Sequence, residues 1–155
     1  MSDGTKNQEN NSSEKEDITK RFEREQREWN TKIDEMTSRM RDISVLSDVL
    51  VDALSQRQMA LEKTHILMSV LSGINAQLRK KRKERFLYYS QSYDLVLQKD
   101  QKNLFIDVDL EKLVRTQELF SNHLSYMRST VDTIDKMLYG VKWRIQLEEY
   151  KRSQH

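Results

Sequence analysis

The chain has no cysteine and no proline, and only three glycines, Gly4, Gly73 and Gly140, among 155 residues. Without cysteine there are no disulfides and no thiolate metal sites, and nothing indicates an oxidising compartment. Folds made of many strands and tight turns draw heavily on proline and glycine, so their scarcity argues for helices. No apolar stretch approaches the ~18 residues that a membrane-spanning helix requires. Residues 1–20 lack the apolar run of a signal peptide. A soluble, cytoplasmic chain without a membrane partner is expected. A general basic bias is also absent, because the formal net charge is only +2.

Charge itself is plentiful. Charged residues make up 34% of the chain and hydrophobic residues 36%, a balance suited to long, thin helical elements rather than a thick core. Residues 2–17 are polar and low in complexity, and an acidic, disordered tail is expected over 1–17. An N-terminal helix over 18–42 follows, with Phe22, Trp29, Ile33, Met36 and Met40 on one stripe.

The region 43–155 carries two longer patterns. Leu46, Leu50, Ala53, Arg57, Ala60, Thr64, Leu67, Leu71, Ile74 and Leu78 are spaced alternately by four and three. That is a heptad-like seam. Gly73 sits within it as a candidate bend or close helix approach, and helix propensity continues to about Leu97. Residues 98–108 break the pattern and are expected to form a loop, with Asp107 or Asp109 capping the next helix. A second seam then runs through Leu113, Gln117, Phe120, Leu124, Met127, Val131, Ile134, Leu138, Val141 and Ile145. Two long helices joined by a short connection predict an antiparallel hairpin. The fold class is therefore all-α: a long helical hairpin or bundle with coiled-coil-like seams, oligomerising through residues such as Leu67, Leu71, Phe120 and Leu124.

One segment stands apart chemically. In Arg79-Lys80-Lys81-Arg82-Lys83-Glu84-Arg85, six of seven residues are basic, and Phe86, Tyr88, Tyr89 and Tyr93 follow. Cations neutralise phosphates and aromatic rings stack on unpaired bases. The candidate nucleic-acid-binding residues are Arg79, Lys80, Lys81, Arg82, Lys83, Arg85, Tyr88 and Tyr89. Basic runs also occur as solvated helix surface or localisation signals. Phe86 and Tyr89, three apart, equally suit packing at the hairpin end. No base-reading motif is visible, so any binding should be largely sequence-tolerant.

Catalytic signals are missing. His65, His123 and His155 lack the spaced partners of a metal site. No glycine-rich phosphate loop is present, and Glu148 and Glu149 lie among Lys142, Arg144, Lys151 and Arg152, where ion pairs account for them. No enzyme, metal or cofactor is expected.

The segment Lys83-Glu84-Arg85-Phe86-Leu87-Tyr88-Tyr89 resembles the Lys-x-Arg-apolar-x-Tyr-Tyr segment of the UvsY recombination mediators of T4-like phages. Asp107-Val108-Asp109 ahead of a helix is similar to that family's acidic linker. Ile134 through Tyr150 is similar to its C-terminal pattern, with Tyr139, Val141-Lys142 and Tyr150 at matching intervals. The resemblance covers about residues 46–152. It implies a non-enzymatic, ring-forming homo-oligomer that binds single-stranded DNA in a phage-infected host cell. It further implies help in displacing single-strand-binding protein and loading a RecA-like recombinase, with Lys83 and Arg85 as the DNA-binding basic pair. The alternative is a helical structural or adaptor protein whose basic cluster serves docking or localisation.

Overall fold

A computed structural model describes residues 4–154, with side chains from Ile18 to Gln154. Residues 4–17 of the acidic, disordered tail expected at 1–17 are helical in backbone, and their side chains lie outside those described. Three helices make up the fold: α1 (Gly4–Arg39), α2 (Leu46–Leu87) and α3 (Lys99–Ser153). A 3₁₀ turn, Ile43–Val45, leads into α2, and a π-helical turn, Tyr88–Ser92, ends it. The described residues contain no strand. None of their helices is long and apolar enough to cross a membrane.

The chain divides into two compact units, one of residues 1–65 with 125–155 and one of residues 66–124. The first is a three-helix bundle of α1, the first half of α2 and the last half of α3. Phe22, Trp29 and Met36 bury the α1 stripe, and Val49, Ala53, Ala60, Met127, Ile134 and Val141 are fully buried. Each such valine, isoleucine or methionine contributes about 1.5–3 kcal/mol on leaving water. Ala53 and Ala60 matter by being small, because interhelical distance follows side-chain size at the contact. Polar ties fix the register. Arg57 pairs with Asp135 through two hydrogen bonds, Lys63 reaches Glu25 at 2.9 Å, and the Tyr126 hydroxyl donates to the Gln26 carbonyl at 2.9 Å.

The break between α1 and α2 is local chemistry. Asp42 adopts an extended backbone, and its carboxylate accepts from the Ser44 N–H at 2.9 Å and the Ser44 hydroxyl at 2.7 Å. Those two bonds hold the Asp42 carboxyl below its usual pKa. Arg144 of α3 donates to the Met40 and Arg41 carbonyls, satisfying acceptors that the end of α1 leaves open.

The second unit is a hairpin of the end of α2 and the start of α3. Its tip is a cluster of Tyr89, Ile106 and Leu110, flanked by Leu78, Tyr93, Leu97 and Val114. The connection falls earlier than expected. α2 ends at Leu87 rather than near Leu97, and α3 begins at Lys99, so most of the predicted 98–108 loop is helical. Two features explain this. Tyr93 takes an extended conformation that stops the π turn. The Gln98 N–H donates to Gln101 Oε1 at 3.0 Å, half of a capping box, and so starts α3 there. Asp107 and Asp109 consequently lie within α3 and cap nothing.

Both seams face inward. In the second unit Leu67, Phe120 and Leu124 are buried and Leu71 is partly buried, all within the single chain. The apolar area assigned to contacts between copies is thus already covered. Gly73 differs too: a Cβ there would meet nothing within 4 Å, so no close helix approach requires a glycine.

Candidate nucleic-acid interface

The basic cluster occupies the last two turns of α2, entirely within the second unit. Every side chain from Arg79 to Arg85 is exposed. The helix nonetheless sorts the cations into two sets. Residues three and four apart share a face. Arg82 and Arg85 lie beside α3: Arg82 pairs with Asp107 at 3.1 Å, and Arg85 Nε lies 3.5 Å from Asp109. Lys81 pairs along its own helix with Glu84 at 3.4 Å. Arg79, Lys80 and Lys83 have no acidic partner among the described residues. Arg79 and Lys83, four apart, form a like-charged pair that repels itself unless an anion sits between them.

Tyr88, Tyr89, Tyr93 and Phe105 form one continuous group. Tyr89 contacts Tyr88, Tyr93 and Phe105, with ring centroids 5.1, 5.2 and 5.6 Å away. Tyr89 itself is buried, and its hydroxyl donates to Asp109 at 2.7 Å. That hydrogen bond, reinforced by burial, pushes its pKa above the ordinary phenol value. Tyr89 therefore holds the hairpin end together and offers no open ring face. Tyr88, Phe86 and Phe105 are the exposed rings, at 42%, 46% and 40%. Arg85 lies over Tyr88, and Lys102 lies over Phe86, each 5.8 Å from the ring centre.

The site thus gathers residues that sequence reasoning placed in other roles. Asp107 and Asp109, expected as candidate caps, instead neutralise two of the cations. Lys102 adds a cation near the rings, and Phe105 completes the aromatic group. The available signal was the pair of carboxylates two residues apart in the facing helix, which the hairpin register sets opposite Arg82 and Arg85. Chemically, the arrangement is an open cationic face at a helix end that also carries the exposed rings of Phe86, Tyr88 and Phe105. Among the described residues, no group of three metal-ligating side chains gathers anywhere.

A separate apolar surface lies in the first unit. Tyr139, Trp143, Leu147 and Tyr150 are all more than half exposed along one side of α3. Beside them a groove is lined by Leu50, Leu54, Leu138 and Ile145. Compared with protein families, curated proteins and solved structures, the chain matches none.

Proposed function

We propose that the chain is a non-enzymatic recombination mediator. It binds single-stranded DNA through the end of α2 and helps a RecA-like recombinase replace single-strand-binding protein. The observation that carries this reading is the unpartnered cationic face of Arg79, Lys80 and Lys83 next to the exposed ring of Phe86, with the exposed Tyr88 ring under Arg85 at the same helix end. Unpaired cations supply phosphate contacts, and exposed rings supply base stacking worth about 1–3 kcal/mol each without sequence preference. The resemblance of Lys83 through Tyr89 to the UvsY segment points the same way.

Homo-oligomerisation belongs to the same proposal. One such face makes a weak contact, whereas several faces on one strand act at high effective concentration. With Leu67, Leu71, Phe120 and Leu124 engaged inside the chain, assembly would use the exposed apolar side of α3 around Trp143.

That apolar side also favours the second reading, a helical adaptor that docks a protein partner. A labelled oligonucleotide titrated with the protein at several salt concentrations separates the two. The mediator reading expects salt-sensitive binding of single strands of unrelated sequence. An absence of binding at low salt would leave the adaptor.

A further inference from the structure

We infer that Asp107 and Asp109 act as built-in phosphate competitors that hold Arg82 and Arg85 back from a bound strand. The inference rests on the nucleic-acid reading of this face and adds a regulation to it. Six basic residues stand at the end of α2, and the fold places carboxylates of α3 against two of them. A carboxylate and a phosphate ask the same thing of a guanidinium: a negative oxygen within hydrogen-bond reach. While the carboxylates occupy them, the two arginines contribute little net positive potential. The strand is left to Arg79, Lys80 and Lys83.

The geometry makes the restraint graded. Both pairs are open to solvent, with the Arg82 and Asp107 side chains at 51% and 60% exposure. Exposed ion pairs are weak and weaken further as salt rises. Asp109 lies farther from its arginine than Asp107 does, at 3.5 Å against 3.1 Å, but it is the better fixed carboxylate. Its side chain is 26% exposed, and it also accepts the Tyr89 hydroxyl, which fixes its position against Arg85. The restraint is therefore strongest at low salt and gives way as the pairs are screened. A mediator that must release its strand gains from such a limit, because full engagement of all six cations would slow release.

The test is Asp107→Asn with Asp109→Asn, which removes both charges and keeps the side-chain shape and the acceptor for Tyr89. The control is Asp94→Asn with Asp100→Asn, an equal change of charge in the same unit at residues without a cation partner among those described. A fluorescent poly-thymidine strand is titrated with wild type, variant and control from low to high salt. The variant is expected to bind on the order of tenfold tighter at low salt. Its plot of log affinity against log salt should be steeper, by up to about 0.7 for each arginine handed to the strand. The control should stay near wild type in slope. An unchanged affinity in the variant, or a gain and slope that the control reproduces, overturns the inference while leaving the binding face in place. If neither wild type nor variant binds, the nucleic-acid reading falls, and the competitor role with it.

Discussion

The Tyr89 hydroxyl donates to the Asp109 carboxylate at 2.7 Å, tying the turn that ends α2 to the second helix of its hairpin. The bond has a consequence for pH. In the folded chain the Tyr89 phenol keeps its proton above its ordinary pKa of 10.0. Between that value and the raised one, the unfolded chain binds fewer protons than the native chain. Stability therefore falls as pH rises through this window and is fully present below it. Thermal melts of wild type should lose stability above about pH 10 more steeply than melts of Tyr89→Phe. Identical pH profiles would show that the phenol is not held by Asp109.

The cationic face should dominate DNA affinity. Arg79→Ala with Lys83→Ala is expected to flatten the salt dependence by about 0.7 per lost contact in each engaged protomer. Both side chains are exposed, so circular dichroism should be unchanged. Tyr88→Ala should weaken binding by about 1–3 kcal/mol at most and leave the slope alone, because stacking releases no counterions. A slope that survives the double substitution places the strand elsewhere.

Gly73→Ala should stabilise the protein by about 0.5–1 kcal/mol, the helix-propensity difference. A methyl group there meets only open space. Urea unfolding followed by ellipticity at 222 nm reads the shift in midpoint. A destabilised variant would reveal a role for this glycine beyond the single chain.

Ala60→Leu should do the opposite. Ala60 is fully buried between helices of the first unit, where added methylenes force them apart. Such overpacking typically costs about 1–3 kcal/mol. The same urea experiment would show it, and an unchanged midpoint would mean the interface has room.

Assembly is tested on the exposed side of α3. Tyr139 and Trp143 are each 69% exposed, so replacing both with serine should leave helicity intact. Sedimentation equilibrium at micromolar concentration should give a lower mass for the variant than for wild type. A wild type that sediments as a monomer would remove oligomerisation from the proposed function.

The helices were legible in the chain because their signal is local. Alternation of apolar residues by three and four repeats every few positions, and each seam residue from Leu46 to Leu78 and from Leu113 to Ile145 is buried or partly buried. The α1 stripe through Phe22, Trp29 and Met36 was legible for the same reason. The position of the turn was not. Gln98 and Gln101 are ordinary residues on a page, and their cap exists only once Tyr93 and Leu97 have joined the core with Ile106 and Leu110.

By itself, then, the sequence determined that this chain is helical, where its apolar faces run, and that one segment concentrates cations and rings. Those properties depend on residues a few positions apart, and the 3.6-residue period makes them additive. Only the tertiary structure decided that both seams close within one chain. It alone decided that Tyr89 faces inward while Tyr88 stays open. It likewise divided the basic cluster into a free face and a paired one. The last two outcomes depend on side chains 20 to 25 residues apart, such as Arg82 with Asp107 and Tyr89 with Asp109, and the closing of the seams on residues as far apart as Arg57 and Asp135. The hairpin register brings them together, and no local pattern encodes that register.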